Sequence, residues 1–177
     1  MNLYVVRHGE TIWNVEKRVQ GITDIPLTEK GRKEAEELQE LISTLNIDVV
    51  ISSPLERARE TAEILIDSKL PINTDDRIKE RDWGMNEGAL ISEVDRWDCW
   101  DVILNTKVQN IECIQDFMDR VSNFIEEIKI KHQDKNVLIV THSAVSRVIH
   151  YLLGIIPEDG DLSKIDIPNL RIIEYKL

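Results

Sequence analysis

Residues 3–11 read LYVVRHGET, and the first element of the fold can be predicted from them. The apolar run Leu3–Val6 is long enough for a short buried strand, so the polar cluster Arg7–Thr11 begins where that strand ends. Ligands bind at this edge in open parallel sheets. A guanidinium beside an imidazole, with a glycine that lets the backbone approach closely, suits a phosphoryl group. We therefore interpret His8 as a nucleophile.

The bulk composition predicts one globular domain spanning residues 1–177. Hydrophobic residues make up 42% of the chain and charged residues 31%, which is enough for a sizeable core and too apolar for a disordered chain. The net charge of −11 weighs against nucleic-acid and membrane partners, since those surfaces need clustered Lys and Arg. A small phosphorylated metabolite remains compatible, because a few local arginines can hold one.

The sequence predicts a cytoplasmic location. No apolar run approaches the length of a transmembrane helix, and the first strand begins too early for a signal peptide to precede it. The two cysteines, Cys99 and Cys113, fit no metal or redox spacing and are expected to be reduced thiols.

Strands and helices alternate along the chain. Four further strands are predicted at Asp48–Ile51, Ile72–Thr74, Val137–Val140 and Arg171–Tyr175. Helices are predicted from Glu29 to about Leu45, after Ser53 as N-cap with Pro54 as first residue, over Ile114–Ile128, and from near Ser143 to Gly154. This order favours an α/β three-layer sandwich, in which a mainly parallel sheet carries helices on both faces.

Residues 82–110 fit this alternation least well. They contain three of the four tryptophans, Trp83, Trp97 and Trp100. We interpret the segment as a helical insertion or lid over the sheet edge. Its tryptophans, like Trp13, are expected to pack in the core or lid and not to stack on a substrate.

Three polar clusters follow three of the predicted strands, namely Arg7–Thr11, Ser52–Ala58 and Thr141–Ser143. In a parallel sheet the carboxyl ends of all three strands lie at one edge, so the clusters can converge. Two of the four histidines, His8 and His142, fall at these positions.

The group that such a convergence suits is a phosphate dianion. Arg7 and Arg57 can offer paired N–H donors, Arg57 near the positive end of a helix, and His142 adds another donor. His8 could then attack phosphorus with one unprotonated nitrogen, and a carboxylic acid would protonate the leaving oxygen. A single histidine after a strand is more often a structural residue, so the catalytic interpretation depends on the clusters together. A metal site on the two histidines is a further alternative, but no third ligand stands at a suitable spacing.

At these residues the chain resembles the histidine phosphatase superfamily, also called the phosphoglycerate-mutase-like family. The opening signature is Arg7–Thr11 followed by Trp13-Asn14. Three further blocks carry the resemblance along nearly the whole chain: Gln20-Gly21 with Asp24–Gly31, Ser52–Leu55 with Arg57-Ala58 and Thr61, and Thr141-His142 before a helix.

The resemblance implies a role for each matching residue. His8 would be the phosphorylated nucleophile, with Arg7, Arg57 and His142 forming the phosphate pocket. Glu80, in a segment that resembles the one carrying the family's proton donor, would be the acid. Residues near the phosphate would be Asn14, Gln20 and Gly21. The family needs no metal or other cofactor.

The chain departs from the family pattern at two places. Ser143-Ala144 stands where Gly-Gly often follows the second histidine, and Ser143 could add a hydroxyl donor to the substrate. Trp83 precedes Gly84, and Asn86 precedes Glu87-Gly88, where members often have Phe and Trp. The second departure bears on lid packing and not on the chemistry.

Phosphatase and mutase remain the alternatives within the family. Arg81 matches one of the extra basic residues of the mutases and is a candidate substrate ligand, but residues 82–110 otherwise hold only Arg96 and Lys107 against six acidic residues. This balance favours a phosphatase for a small phosphomonoester with an apolar or uncharged body. A phosphoglycerate mutase is the second reading and a non-catalytic phosphate-binding module the third. A homodimer is compatible with the sequence, which does not decide the oligomeric state.

Overall fold

The computed structural model describes residues 1–94, 98–105, 107–154 and 159–177. The strands are β1 (Asn2–Arg7), β2 (Val49–Ser52), β3 (Ile72–Thr74), β4 (Asn136–Thr141) and β5 (Ile172–Lys176). The α-helices are α1 (Ile12–Val15), α2 (Glu29–Thr44), α3 (Glu56–Ile66), α4 (Ile114–Lys131) and α5 (Ser143–Leu152). Each predicted strand is present, and its ends lie within one residue of the predicted ones.

The five strands form one sheet in the order β3-β2-β4-β1-β5. The first four are parallel, and β5 pairs antiparallel with β1 along its outer edge. The register aligns Arg7 with Thr141 and Ser52 with Val140. The carboxyl ends of β1, β2 and β4 therefore lie side by side, as the sequence predicted.

Helices cover both faces of this sheet. Alternate residues of the central strand β4 explain the layering: Val137 and Ile139 belong to a core cluster with residues of α4 and α5, whereas Leu138 and Val140 belong to a second cluster with residues of α2 and α3. A strand buried on both faces needs a continuous apolar run, which β4 has. The predicted three-layer α/β architecture is confirmed.

Two local predictions were wrong. Helix α3 begins at Glu56 with Leu55 as its N-cap, two residues later than the predicted cap at Ser53, and no side chain caps it. The segment predicted as a helical insertion or lid, residues 82–110, contains no α-helix in its described part, where 3₁₀ turns lie at Gly84–Asn86, Ile91–Glu93 and Asp98–Trp100, so the helical part of this prediction was wrong. The predictions for Trp97 and Arg96 fall outside the described residues.

Trp83 and Trp100 pack against each other as expected, and both also line the pocket described below. Both are buried, their ring centroids are 5.6 Å apart, and the Arg81 guanidinium lies within 5.4 Å of each ring. No helix in the described ranges is both long and apolar enough to cross a membrane.

Candidate active site

Backbone hydrogen bonds draw the three polar clusters together at the sheet edge. The His8 N–H donates to the Thr141 carbonyl and the Ser53 N–H to the Val140 carbonyl, both at 2.9 Å, which continues the parallel ladder beyond the strands. The rings of His8 and His142 consequently lie with centroids 5.2 Å apart. Two histidines separated by 134 positions in the sequence thus share one crevice.

His8 is held as one tautomer. Its Nδ1 lies 2.7 Å from the Gly9 carbonyl oxygen, which can only accept a hydrogen bond, so Nδ1 carries the proton. Burial, with the positive charges of Arg57 and Arg7, holds the pKa of His8 well below its usual value. The ring is therefore neutral, and Nε2 keeps the lone pair that a nucleophile needs.

The loop after β1 is fixed from two sides. The Gly9 N–H donates to the Thr61 hydroxyl, which in turn donates to the Arg57 carbonyl, so the His8 loop is tied to the helix that carries Arg57. Close backbone approach explains the glycine: a Cβ on Gly9 would lie 2.9 Å from the Gly31 carbonyl oxygen.

Two arginines, the partly buried Arg7 and the fully buried Arg57, bring positive charge to His8. Arg7 donates from Nη1 to the Ile167 carbonyl, and Arg57 donates to the carbonyls of Gly21 and Thr23. Burial lowers the pKa of Arg7 to about 10, so its guanidinium remains charged at neutral pH. The pKa of Arg57 is also lowered by burial, while nearby Glu80 opposes the shift.

The structure contains buried polar side-chain atoms without partners, most of them in residues predicted for the site. Within the described residues, five buried side-chain atoms have no hydrogen-bond partner: Arg7 Nε, Gln20 Nε2, Arg57 Nε, His142 Nδ1 and Ser146 Oγ. Four of them belong to residues predicted for this site. Since buried donors are normally satisfied, their grouping indicates a place for an anionic ligand with several acceptor oxygens.

His142 explains why Ser53 does not cap α3. The Ser53 hydroxyl lies 2.7 Å from His142 Nε2, while the Leu55 N–H donates to it over 3.3 Å. The hydroxyl therefore orients the imidazole and closes a local turn, which leaves α3 to begin later. Burial and the charge of Arg57 hold the pKa of His142 well below its usual value, so this ring is neutral too.

Glu80 is placed as a proton donor would be. Its buried carboxylate accepts hydrogen bonds from the N–H groups of Arg81 (2.9 Å) and Ala144 (3.3 Å) and lines the same pocket as His8. Burial raises the pKa of Glu80, although the two N–H groups and Arg57 oppose the shift. A raised pKa increases the fraction of the protonated acid near neutral pH.

The pocket has a volume of about 290 Å³ and contains several further predicted residues. Asn14, Gln20 and Ser143 line it. Asn14 and Gln20 also form part of a hydrogen-bonded group with Thr11, whose hydroxyl lies 2.9 Å from Gln20 Oε1. A cavity of this size suits a small ligand.

Arg81 and Gly21, predicted as substrate ligands, do not line the pocket; Arg57 and His142 also stand outside its lining, although each has a buried nitrogen without a partner. Arg81 donates from Nε and Nη2 to the Glu112 carbonyl and from Nη1 to the Cys99 carbonyl, and so fastens the insertion. Gly21 lies behind Arg57 and accepts its Nη2 hydrogen bond. Arg81 therefore fixes the backbone at Cys99 and Glu112, and Gly21 helps to fix the guanidinium of Arg57.

Residues 3–177 match the model of the histidine phosphatase superfamily (branch 1). The chain belongs to this superfamily. Its members are phosphatases or mutases. The resemblance inferred from the sequence motifs is thereby confirmed.

Relatives within the histidine phosphatase superfamily carry both kinds of name. The chain is 38% identical over 151 residues to "Uncharacterized phosphatase PhoE" of Bacillus subtilis, covering 84% of this chain and 74% of that protein. It is 34% identical over 163 residues to "Probable phosphoglycerate mutase GpmB" of Citrobacter koseri, covering 88% of this chain and 76% of that protein. The solved structure of Bacillus stearothermophilus YhfR superposes with a TM-score of 0.86 at 32% identity, covering 99% of this chain and 91% of that one.

Sequence reasoning missed two arginines of this histidine phosphatase superfamily member. Arg18, whose Nη1 donates to the Gly88 carbonyl, and Arg147, whose guanidinium lies 5.1 Å from the Trp100 ring, both line the pocket. The expectation of a weakly basic pocket considered only residues 82–110, whereas these arginines come from either side of that segment. The spacing of Ser143 and Arg147 at i and i+4 on α5 was the signal available.

One carboxylate links the insertion to the loop that holds Arg57. Glu87 accepts hydrogen bonds from the backbone N–H groups of Ile22, Thr23 and Trp83. It thereby fixes the loop whose carbonyls hold Arg57. In the described part of the chain no group of three or more His, Cys, Asp or Glu side chains is arranged to hold a metal ion.

Proposed function

We propose that this protein is a phosphomonoesterase that hydrolyses a small phosphorylated metabolite through a phosphohistidine on His8, without a metal ion. The observation that carries the proposal is the neutral His8, protonated on Nδ1, beside the charged Arg7 and Arg57 and the protonatable Glu80. Phosphoryl transfer needs mainly positioning and neutralisation of charge, which this arrangement supplies.

The reaction would proceed in two balanced steps. In the first, Nε2 of His8 forms a bond to phosphorus, the phosphorus–oxygen bond to the alcohol breaks, and Glu80 gives its proton to the leaving oxygen. In the second, water attacks phosphorus, its proton passes to Glu80, and the phosphorus–nitrogen bond breaks. Inorganic phosphate leaves, and His8 and Glu80 return to their initial states.

The covalent intermediate provides the direct test. Rapid quenching into base during turnover, followed by peptide mass spectrometry, should find phosphate on His8, because phosphohistidine survives base and is lost in acid. His8→Ala should abolish the label and lower kcat by about three orders of magnitude or more. His132→Ala, at the end of α4, serves as a control and should keep the phosphate label on His8 and the kcat of the wild type. Full activity in His8→Ala would exclude the mechanism, and loss of activity in a chelator would exclude metal independence.

A phosphoglycerate mutase is the second candidate, and Arg18 and Arg147 in the pocket favour it. These side chains could hold a second anionic group, which a body of the phosphoglycerate type carries. Interconversion of 2- and 3-phosphoglycerate faster than hydrolysis, in the presence of a bisphosphorylated primer, would establish the mutase. Binding of phosphometabolites without any turnover would instead identify a non-catalytic module.

A further inference from the structure

The carboxyl of Glu80 is not oriented by any side chain among the described residues. Its two hydrogen bonds come from the backbone N–H groups of Arg81 and Ala144. Glu80 also lies outside the regular elements, two residues after the 3₁₀ turn Asp76–Ile78. The direction of the carboxyl therefore depends on how the backbone of its own segment is held.

Arg120 on α4 holds that backbone from the helix side. Its Nη1 donates to the carbonyls of Arg77 (2.6 Å) and Lys79 (2.9 Å), and its Nη2 donates to the carbonyl of Glu80 itself (3.1 Å). Three carbonyls within four residues thus converge on one guanidinium. On the sheet side, the Thr141 hydroxyl donates to the Ile78 carbonyl at 2.8 Å.

Glu112 extends these backbone contacts to the residues that follow Glu80. Arg120 donates to both oxygens of the Glu112 carboxylate, from Nε at 2.7 Å and from Nη2 at 3.0 Å. The carboxylate also accepts the Asp82 N–H, and the Glu112 carbonyl accepts two hydrogen bonds from Arg81. Residues on both sides of Glu80 are consequently fixed to one ion pair.

We propose that Arg120 is a positioning residue that, together with Glu112, aims the Glu80 carboxyl at the leaving oxygen of the substrate. The inference rests on the proposed function, in which Glu80 is the proton donor. It depends on the shape of the guanidinium, since only a planar fork can serve two or three carbonyls and a carboxylate at once. A lysine keeps the charge but offers one compact donor group, so the loop would lose part of its constraint.

The readout is the dependence of the rate on the leaving group. The ratio of kcat/KM for p-nitrophenyl phosphate to that for glycerol 2-phosphate reports how much the enzyme relies on its acid, because nitrophenolate leaves without help. For each substrate, kcat/KM includes the step in which the leaving group departs. The ratio is also independent of the fraction of folded enzyme, since both substrates meet the same sample.

Arg120→Lys should raise this ratio by at least about tenfold, and Glu80→Gln by more, given the usual size of general acid catalysis. Glu112→Gln, which leaves Arg120 in place but weakens the ion pair, should raise it less and serves as the second variant. Arg32→Lys is the matched control, since it alters a two-contact pair with Glu60 between α2 and α3 and should leave the ratio unchanged.

The outcomes separate the inference from the proposed function. If Glu80→Gln raises the ratio while Arg120→Lys and Glu112→Gln slow both substrates equally, the positioning role is wrong and Glu80 remains the acid. If none of these variants changes the ratio, Glu80 is not the proton donor and the inference falls with that assignment. If His8 is not phosphorylated, the proposed function itself is wrong.

Discussion

At the scale of single residues, burial shifts the pKa values of His8 and Glu80 in the directions that the proposed chemistry requires. The same desolvation acts in opposite directions, because it disfavours whichever form is charged. It lowers the pKa of His8 and so favours the unprotonated base, and it raises the pKa of Glu80 and so increases the fraction of the protonated acid. Neighbouring Arg57 strengthens the first shift and opposes the second.

These shifts predict the pH dependence of the reaction. With an alkyl phosphate, kcat/KM should fall as pH rises through the raised pKa of Glu80, because the deprotonated carboxylate has no proton to give. On the acid side, activity should persist below the ordinary pKa of histidine and fall only when His8 becomes protonated. Measurement of kcat/KM from about pH 4 to about pH 9 for the wild type and Glu80→Gln tests both limbs.

Substrate ionisation affects both enzymes equally, so the comparison between them is decisive. Glu80→Gln should be slower throughout and should lack the decline that the wild type shows on the basic side. Parallel profiles for the two enzymes would show that another group controls the basic limb.

At the scale of elements, the site depends on loops that are joined by side chains far apart in sequence. Glu87 lies in the insertion, yet its carboxylate holds the N–H groups of Ile22 and Thr23. The carbonyls of Gly21 and Thr23 in turn hold the Arg57 guanidinium. The insertion therefore supports the position of Arg57 through the loop that contains Gly21 and Thr23.

Glu87→Gln should weaken this link, because an amide offers one acceptor oxygen where the carboxylate offers two. With the loop less constrained, Arg57 loses fixed acceptors, and kcat/KM should fall by about tenfold for good and poor leaving groups alike, the loss expected for one to two hydrogen bonds. Steady-state kinetics on p-nitrophenyl phosphate and glycerol 2-phosphate measures this effect.

A matched control is Glu63→Gln, which removes an exposed pair with Arg59 on α3 and should leave the kinetics unchanged. Gly21→Ala should resemble Glu87→Gln, since its Cβ would lie 1.9 Å from Glu87 Oε1 and displace the carboxylate. Unchanged kinetics in both test variants would show that the loop keeps Arg57 in place unaided.

The elements that could be predicted from the sequence are those with a local signal. Strand β4 is a continuous apolar run, and α4 repeats its apolar residues at helical spacing, so both were found. The cap of α3 was misplaced because a serine followed by proline is a good local start signal, but the Ser53 hydroxyl binds His142, 89 positions away. A tertiary contact of this kind gives no signal in the residues next to Ser53 in the sequence.

At the scale of the whole molecule, a parallel sheet made the main features of the site predictable. Once Arg7, Ser53 and His142 were assigned to strand ends, their convergence followed from topology. The positions of Arg18 and Arg147 depend instead on how the insertion and α5 enclose the pocket, which spacing does not encode. Glu80 needed the family resemblance, since nothing local distinguishes it among 33 acidic residues.

Charge is distributed unevenly over this molecule, and that distribution predicts a stabilising ligand. The chain carries a net charge of −11, yet Arg7, Arg18 and Arg147 line its pocket, and Arg7 and Gln20 each bring a buried nitrogen without a partner among the described residues. Inorganic phosphate should bind these groups in the folded state only, and a ligand at a hundred times its Kd stabilises by about 2.7 kcal/mol. Thermal unfolding should therefore shift upward with phosphate concentration and saturate.

Two controls separate binding from the general effect of salt. Chloride at the same ionic strength should give a smaller shift without saturation, because it screens charges but cannot span several donors. Arg7→Met, which removes a charged donor beside His8, should lose most of the difference between phosphate and chloride, whatever its own stability. An equal response to both anions, or an unchanged difference in Arg7→Met, would mean that the unpartnered donors do not form a phosphate site, and the proposed chemistry at His8 would lose its electrostatic basis.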